Sequence, residues 1–383
     1  MRACTRFAAV LLGVAVPGLA AAQEAAPPDP SPWRSVDFGV TLETYYQFNT
    51  NDPPDRVTPL RAYDARANTF DLQQVTAVAA LAPDVEAGRR FGMRVDLMFG
   101  PATAAVQGSA VNEPRPEVYR NIWQAYGTYV FPVGRGLRAD VGKFASNLGF
   151  ETSFAKDNDH FSRAYLFGFL PFYHAGVRVT LPVTDHLTLQ YALSNGAQQA
   201  EEFNAAKSSH VTAVLTPLPT LSWTVNYYAG REQPDQGMPR GANGLFTIFD
   251  TYAAWTPSPR FSAGLDLNRT SNDPGAAGGD TTTLTGLGAY GRTALVGPTS
   301  FALRYERLDD EGLFAGVDQV LQEITGTLEW RAADGFLLRG ELRRDWSDRA
   351  FFPGPHGAAD LRRSQVTVEV GLVWWLGTLE GVW

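Results

Sequence analysis

Cysteine is almost absent from this sequence. Its 383 residues contain one, Cys4, so no disulfide can form within the chain. Cys4 also precedes the apolar run at 7–19, whereas a cysteine that carries a lipid anchor would follow such a run. The five histidines are scattered, without an HExxH motif and without cysteine partners, so we predict no metal site and no cofactor. The fold must be stabilised by other means.

Basic blocks and long apolar runs are missing as well. Lys and Arg number 32 against 40 Asp and Glu, and no basic cluster occurs, which argues against nucleic acid as a partner. Beyond residue 22, no apolar stretch reaches the roughly 20 residues that a membrane-spanning helix needs. Nucleic-acid-binding proteins and helical membrane proteins are therefore disfavoured.

The N-terminus has the pattern of a secretory signal peptide. Arg2 and Arg6 precede the apolar run, and three alanines at 20–22 follow it as a cleavage site. We expect a signal peptide at 1–22 and a flexible leader, rich in Pro and Ala, at 23–35.

Glycine and aromatic residues, in contrast, are abundant. The chain has 37 Gly, 23 Phe, 14 Tyr and 9 Trp against 4 Met. A polar average with many aromatics is typical of a membrane barrel, in which only every second strand residue faces lipid. A secreted β-sandwich or β-helix would have a similar composition, so the order of the residues has to decide.

Apolar and charged residues alternate along many segments. In 298–309, Phe301 and Leu303 alternate with Arg304 and Glu306, and the segments 319–332, 334–346 and 364–376 behave alike. A period of two with one apolar and one charged face indicates strands between two different media. Glycines recur on the apolar face, which lipid tolerates better than a packed core does.

The spacing of these segments predicts sixteen strands, the first at 36–49 and the last at 364–376. Short Pro- and Gly-containing connections alternate with long polar ones. We therefore predict an all-β fold, a transmembrane antiparallel up-and-down β-barrel at 36–383 with short periplasmic turns and long extracellular loops. The count could change by two, because 101–120 and 146–173 could each contain a short strand.

Aromatic residues cluster near both ends of these strands, as expected at two lipid interfaces. Those near the short connections are Phe131, Trp255, Phe261, Phe301, Trp330 and Phe336, and those near the opposite ends are Tyr45, Tyr46, Phe48, Tyr227 and Tyr228.

Two stretches carry a family resemblance: GKFASNLGFE at 142–151 and NDHFSRAYLFGFLPFYHAG at 158–176. They resemble the OmpL-like porin family of outer-membrane β-barrels, whose members have a Gly-Lys-Phe strand and then a Pro-Phe-Tyr-His-x-Gly segment. The resemblance implies a porin-like barrel in the bacterial outer membrane. It implies no particular substrate and no catalytic residue.

A barrel of sixteen strands leaves an aqueous lumen, and whatever narrows the lumen sets its selectivity. The loop 146–173 is the third and longest of the long connections, and we hypothesise that it forms the constriction. An equally weighted alternative is that its aromatics only anchor it and its charges only solvate it. Asp157 or Asn158 could cap a helix at 159–168. The charged residues of this hypothesis are Glu151, Lys156, Asp157, Asp159 and Arg163.

Charges of both signs fall on the predicted inner wall of the barrel. They could create a transverse field across the pore, or they could simply pair with one another as a ladder of salt bridges. The wall residues are Glu43, Arg94, Asp96, Arg178, Arg304, Glu306, Arg339, Glu341 and Arg343.

These observations favour a porin for passive diffusion of small hydrophilic solutes and ions, and not an enzyme. Alternatives are a substrate-specific channel, a plugged surface barrel, and a barrel hydrolase that would use Ser162 and His174. Expected partners are outer-membrane lipid, lipopolysaccharide and small solutes. A homotrimer is compatible with such a barrel, and the sequence does not decide it.

Overall fold

The protein is described here by a computed structural model that covers residues 35–107, 113–204, 206–233, 244–275 and 278–377. Sixteen antiparallel strands form one closed barrel, in which each strand pairs with its neighbours along the chain and the last strand pairs with the first. The predicted fold class and strand count are confirmed. The barrel strands are β1 Val36–Asn49, β2 Thr69–Leu81, β3 Phe91–Phe99, β4 Ile122–Phe131, β5 Leu137–Ala145, β6 Tyr173–Pro182, β7 Leu187–Ser194, β8 Ser208–Leu218, β9 Leu221–Gly230, β10 Phe246–Ser258, β11 Phe261–Asn272, β12 Thr282–Ala294, β13 Thr299–Glu311, β14 Asp318–Ala333, β15 Phe336–Ser347 and β18 Ser364–Gly377.

The alternation in the sequence becomes the two faces of the barrel. On β13, Phe301 and Leu303 are 41% and 44% exposed and point outward, whereas Arg304 and Glu306 are fully buried inside. Closing the sheet leaves no unpaired edge, which is the condition for strands in lipid.

The remaining elements are short. A two-stranded hairpin, β16 Phe352–Gly354 with β17 Gly357–Arg362, lies in the last long loop. The stretches 101–120 and 146–173 contain no further barrel strand among their described residues. They contain a single 3-10 turn at Ala155–Asp157 and three helices of four or five residues, α1 Ala102–Val106, α2 Pro116–Tyr119 and α3 Tyr165–Phe169. No helix in the described ranges has the length and apolar character to cross a membrane.

The predicted belts of aromatic residues are only partly correct. Phe131, Trp255 and Trp330 near the short turns point outward and are exposed. At the opposite rim, however, Tyr45 and Tyr228 are buried inside the barrel, because they fall on the inward phase of β1 and β9. The position of an aromatic residue near a strand end therefore predicted its rim correctly, but not whether it points outward or into the barrel.

Three sequence predictions lie outside the described residues. They are the signal peptide at 1–22, nearly all of the leader at 23–35, and the end of the predicted barrel beyond residue 377.

Candidate functional site: a loop bound inside the barrel

The connection between β5 and β6, residues 146–172, enters the barrel, and we call it the lumen loop. Its side chains Phe154, Tyr165 and Leu166 are fully buried. Its backbone is bound by side chains of β1 and β2 on one side and of β9 to β11 on another. The loop therefore crosses the lumen instead of lying on the rim.

Wall carboxylates hold the loop through its backbone N–H groups. Each of these carboxyl groups accepts one or two hydrogen bonds from the loop. The pairs are Gly149 N to Asp250 at 3.0 Å, Phe150 N to Asp266 at 3.2 Å, Ala155 N to Glu43 at 2.8 Å, Phe161 N to Glu341 at 3.0 Å, and Leu166 N to Glu306 at 3.1 Å.

Wall arginines hold the same loop through its carbonyl oxygens. Arg304 donates to the Ser162 carbonyl at 2.9 Å. Arg339 donates to the carbonyls of Ala155 at 2.6 Å and His160 at 2.8 Å. Each arginine also pairs with a wall acid, as Arg339 does with Glu329 at 2.6 Å. These guanidinium groups therefore connect the wall to the loop without leaving an unpaired buried charge.

Three wall glycines form sockets for apolar side chains of the loop. A Cβ atom on Gly264 of β11 would lie 2.3 Å from the Phe150 ring, and one on Gly286 of β12 would lie 2.5 Å from Leu166. A Cβ atom on Gly371 of β18 would lie 2.2 Å from Phe161. The side chains of the loop thus fill spaces that exist only because these wall residues lack a side chain.

The five charged loop residues of the constriction hypothesis separate into two groups. Glu151 accepts from the Ala164 N–H at 2.8 Å and pairs with Arg304 at 2.7 Å. Arg163 donates to the carbonyls of Thr152 and Ser153, both at 3.0 Å. These two residues stabilise the loop itself.

The other three loop charges lie closer to water. Lys156 and Asp157 form an ion pair of 3.0 Å, and Asp157 retains 21% of its side-chain exposure. Asp159 lies 3.4 Å from Arg292 of β12, near the periplasmic end of the barrel.

All nine predicted wall residues lie on the inner face, but they do different things. Glu43, Arg304, Glu306, Arg339, Glu341 and Arg343 bind the lumen loop. Arg94, Asp96 and Arg178 form wall pairs instead, Arg94 with Asp96 at 2.8 Å and Arg178 with Asp140 at 2.9 Å. Salt bridges along the wall therefore occur both on β3 to β6 and on β13 to β15, and the arginines of β13 to β15 bind the loop as well.

The first long loop also enters the barrel, which the sequence did not indicate. Arg61 pairs with Asp345 of β15 at 3.2 Å, and Gln47 of β1 donates to Asp64 at 3.1 Å. Tyr63 packs edge-on against Phe167 of the lumen loop, with ring centroids 5.4 Å apart. Composition does not distinguish a charged, aromatic loop inside the lumen from one in solvent, so the sequence did not predict where this loop lies.

The predicted helix at 159–168 is wrong. The structure has only α3 at Tyr165–Phe169, and neither Asp157 nor Asn158 caps it. The N–H groups of Phe161 and Ser162 donate to Glu341. Wall carboxylates thus replace the helical carbonyls as acceptors, so an extended path satisfies the backbone.

Comparisons with known proteins agree with this architecture. The family described as "Putative beta-barrel porin-2, OmpL-like" matches residues 35–374. The chain belongs to the OmpL-like β-barrel porin family. It is therefore a channel protein of the bacterial outer membrane. No curated protein matches it.

Solved porin structures share the fold at low identity. An anion-selective porin from Comamonas acidovorans is 12% identical, with a TM-score of 0.58 over 89% of this chain and 99% of that one. OprB from Pseudomonas putida is 11% identical, with a TM-score of 0.58 over 90% and 94%. The trimer form of OmpT from Vibrio cholerae is 10% identical, with a TM-score of 0.56 over 89% and 99%. These likenesses concern the fold alone.

In this porin, the inserted loops fill much of the lumen. Inward side chains at the level of the loops are buried on strands all the way round the barrel. Examples are Thr76 of β2, Gln124 of β4, Asn226 of β9, Asp266 of β11, Thr325 of β14 and Glu369 of β18.

His160 is the one histidine of the lumen loop. Its Nδ1 lies 2.7 Å from the Thr327 hydroxyl, and its Nε2 is buried without a hydrogen-bond partner. Burial lowers the pKa of this imidazole well below its usual range, and nearby Arg304 and Arg339 lower it further. His160 is therefore neutral while the loop is seated.

The pair proposed for a hydrolase is not assembled in this porin. The Ser162 hydroxyl accepts from Arg304 at 3.1 Å, whereas His174 lies 3.1 Å from the Ser146 hydroxyl and 3.2 Å from the Gly196 carbonyl. The described residues also contain no group of three His, Cys, Asp or Glu side chains that could hold a metal.

Proposed function

We propose that this porin lets small hydrophilic solutes and ions cross the outer membrane by passive diffusion, and that the lumen loop sets the aperture. One observation carries the proposal: the loop is bound across the lumen by side chains from opposite walls. A segment held in this way limits the size of any solute that passes. The charges near it act on ions at close range.

The inner face supports diffusion of polar solutes. Inward positions of the barrel carry Asp, Glu, Arg, Asn, Gln and Thr side chains, whereas the exposed outward positions carry mainly apolar ones. A polar wall that is shielded from lipid is the arrangement found in water-filled barrels.

The test is single-channel conductance in planar bilayers after shortening the lumen loop. Replacing 148–170 with a short Gly-Ser linker should increase conductance several-fold. The control is a variant in which the loop 273–281 is replaced with the same Gly-Ser linker. Unchanged conductance in the first variant, with the barrel shown to be folded, would overturn the proposed role of the loop.

We also propose that the protein is not an enzyme. Ser162 is bound to a wall arginine and lies apart from His174 in the hydrogen-bond network. Purified protein should therefore release no fatty acid from phospholipid vesicles. Release that disappears in Ser162→Ala would contradict this proposal.

We propose further that the barrel assembles as a homotrimer. The trimer form of OmpT has the same fold and supports this by analogy only. Light scattering of the protein extracted in mild detergent should give the mass of three barrels. A monomer mass at all concentrations would refute it.

A further inference from the structure

The outer ends of the two motif stretches lie on β5 and β6, where they pair with one another outside the lumen loop. Gly142 of β5 and Gly176 of β6 are register partners, and Lys143 pairs in register with Ala175. The Lys143 ammonium lies 3.8 Å from the centre of the Tyr173 ring and donates to the Ile122 carbonyl at 2.6 Å. Lys143 and Tyr173 lie on the outward phase, since their neighbours Phe144 and His174 point inward.

A groove of about 400 Å³ opens beside this lysine, and we call it the outer groove. Its floor is made of small residues from β4, β5 and β6, namely Ala125, Gly142, Ala175 and Gly176. Tyr119 and Ala200 line its extracellular end.

The backbone requires glycine at two positions in the floor of the outer groove. Gly142 has φ +137°, and a Cβ atom there would lie 2.2 Å from the Ala125 carbonyl oxygen. A Cβ atom on Gly176 would lie 2.1 Å from the Leu193 carbonyl oxygen. Both glycines fall on the inward phase of their strands, so the outward alanines, Ala125 and Ala175, are the side chains that an apolar chain on the floor would contact.

Lys143 is an unusual residue for this face. A lysine among lipid-facing side chains costs free energy unless its charge is balanced. It uses one donor on Ile122, and its contact with Tyr173 is a cation–π interaction. The nearby Glu113 carboxylate accepts from the Tyr173 hydroxyl at 3.2 Å and from the Ala200 N–H at 2.6 Å. Among the described residues Lys143 donates a hydrogen bond only to Ile122, and this lysine, which is 6% exposed, lines the groove.

We propose that the outer groove binds lipopolysaccharide, with an acyl chain over the small residues of its floor and a lipid A phosphate at Lys143. The site is at the height of the outer leaflet, because Lys143 stands two residues before the extracellular end of β5. The groove is continuous with the lipid-facing band through Val141, which is 58% exposed. An apolar channel with one cation at its extracellular end matches an anionic lipid that enters from that leaflet.

The first test fills the groove. Refolded protein is titrated with purified lipopolysaccharide and observed by native mass spectrometry. Ala175→Leu should weaken binding at least tenfold. The matched control is Ala139→Leu, which places a leucine on the same outer face of the barrel, on β5 and outside the groove. This variant should bind lipopolysaccharide as the parent protein does. Heat-modifiable migration on gels verifies that each variant is folded.

The second test addresses the phosphate. Lys143→Gln should weaken binding of lipid A about tenfold and leave binding of dephosphorylated lipid A unchanged, and Lys143→Arg should restore most of the loss. Equal loss in the Ala139 control, or equal binding of phosphatidylethanolamine, would overturn the proposal. A change of oligomer mass in Ala175→Leu with unchanged lipid binding would assign the groove to a second copy of the chain instead.

Discussion

At the residue scale, the most important side chains are the wall arginines that bind both a wall carboxylate and the lumen loop. Arg339 binds Glu329 and the carbonyls of Ala155 and His160, and it is fully buried. Its removal would leave Glu329 as a buried carboxylate without that partner and would free three loop carbonyls, because Arg339 also donates to the Asn158 carbonyl. Removing one member of such a buried set is far more costly than breaking an exposed ion pair.

We therefore expect Arg339→Met to lower the free energy of unfolding by about 3–5 kcal/mol. Arg349, which pairs with Asp318 where both side chains are more than half exposed, is the control. Arg349→Met should change stability by less than about 1 kcal/mol. Urea unfolding in detergent or vesicles measures both, and equal effects would refute the assignment.

His160 gives the loop a dependence on pH. The seated imidazole is neutral because its pKa is depressed, whereas a released one regains its ordinary value of about 6.5. Above that pH the seated state keeps its full stability. As the pH falls below about 6.5, the imidazole of the released loop binds a proton and that of the seated loop does not. Protonation therefore favours the released loop. The groups that face this ring are Thr327, Glu341, Arg163, Arg304, Arg339 and Arg343.

Channel conductance should therefore rise when the pH is lowered from 7.5 to 5.5. The His160→Gln variant should show a smaller rise. Paired recordings on parent and variant at both pH values provide the comparison. If both show the same pH response, another group controls the loop.

At the element scale, the strands were predictable and the docking of the loop was not. A period of two and turn residues every ten to fifteen positions define β1 or β13 without any tertiary information. The sockets at Gly264, Gly286 and Gly371 could not be identified, because the alternation indicates the face of a glycine but not the loop side chain that packs against it. The same is true of Asp250 and Asp266, whose loop partners lie about a hundred residues earlier.

Filling a socket should unseat the loop. Gly371→Leu would collide with Phe161, so we expect a several-fold higher conductance with an intact barrel. Gly340 on the neighbouring strand β15 faces outward with no atom within 4 Å of an added Cβ, so Gly340→Leu is the control. An unaltered channel in Gly371→Leu would show that the socket does not hold the loop.

At the scale of the whole molecule, the total charge and the most exposed charges of two wall pairs differ in sign. The chain carries a net −8. Near the periplasmic end of the inner face, Arg138 is 37% and Arg331 is 27% exposed, whereas the acids beside them, Asp140 and Glu329, are 1% and 3% exposed. An ion that passes this part of the wall meets these guanidinium groups more readily than the acids beside them.

We accordingly expect a mild preference for anions, observed as the sign of the reversal potential in a KCl gradient. The double variant Arg138→Gln with Arg331→Gln should move that potential toward zero. Arg135→Gln, in an exposed periplasmic turn, should not. A cation preference in the parent would show that the buried acids govern permeation.

The seat of the lumen loop also implies an order of assembly. Its contacts come from β1 and β2, from β9 to β15 and from β18, so they include the two strands whose pairing closes the barrel. While that seam is open, Glu43 and the Gly371 socket are apart and the seat is incomplete. The complete seat therefore exists only in the closed barrel, and the loop gains its full set of contacts when β18 pairs with β1.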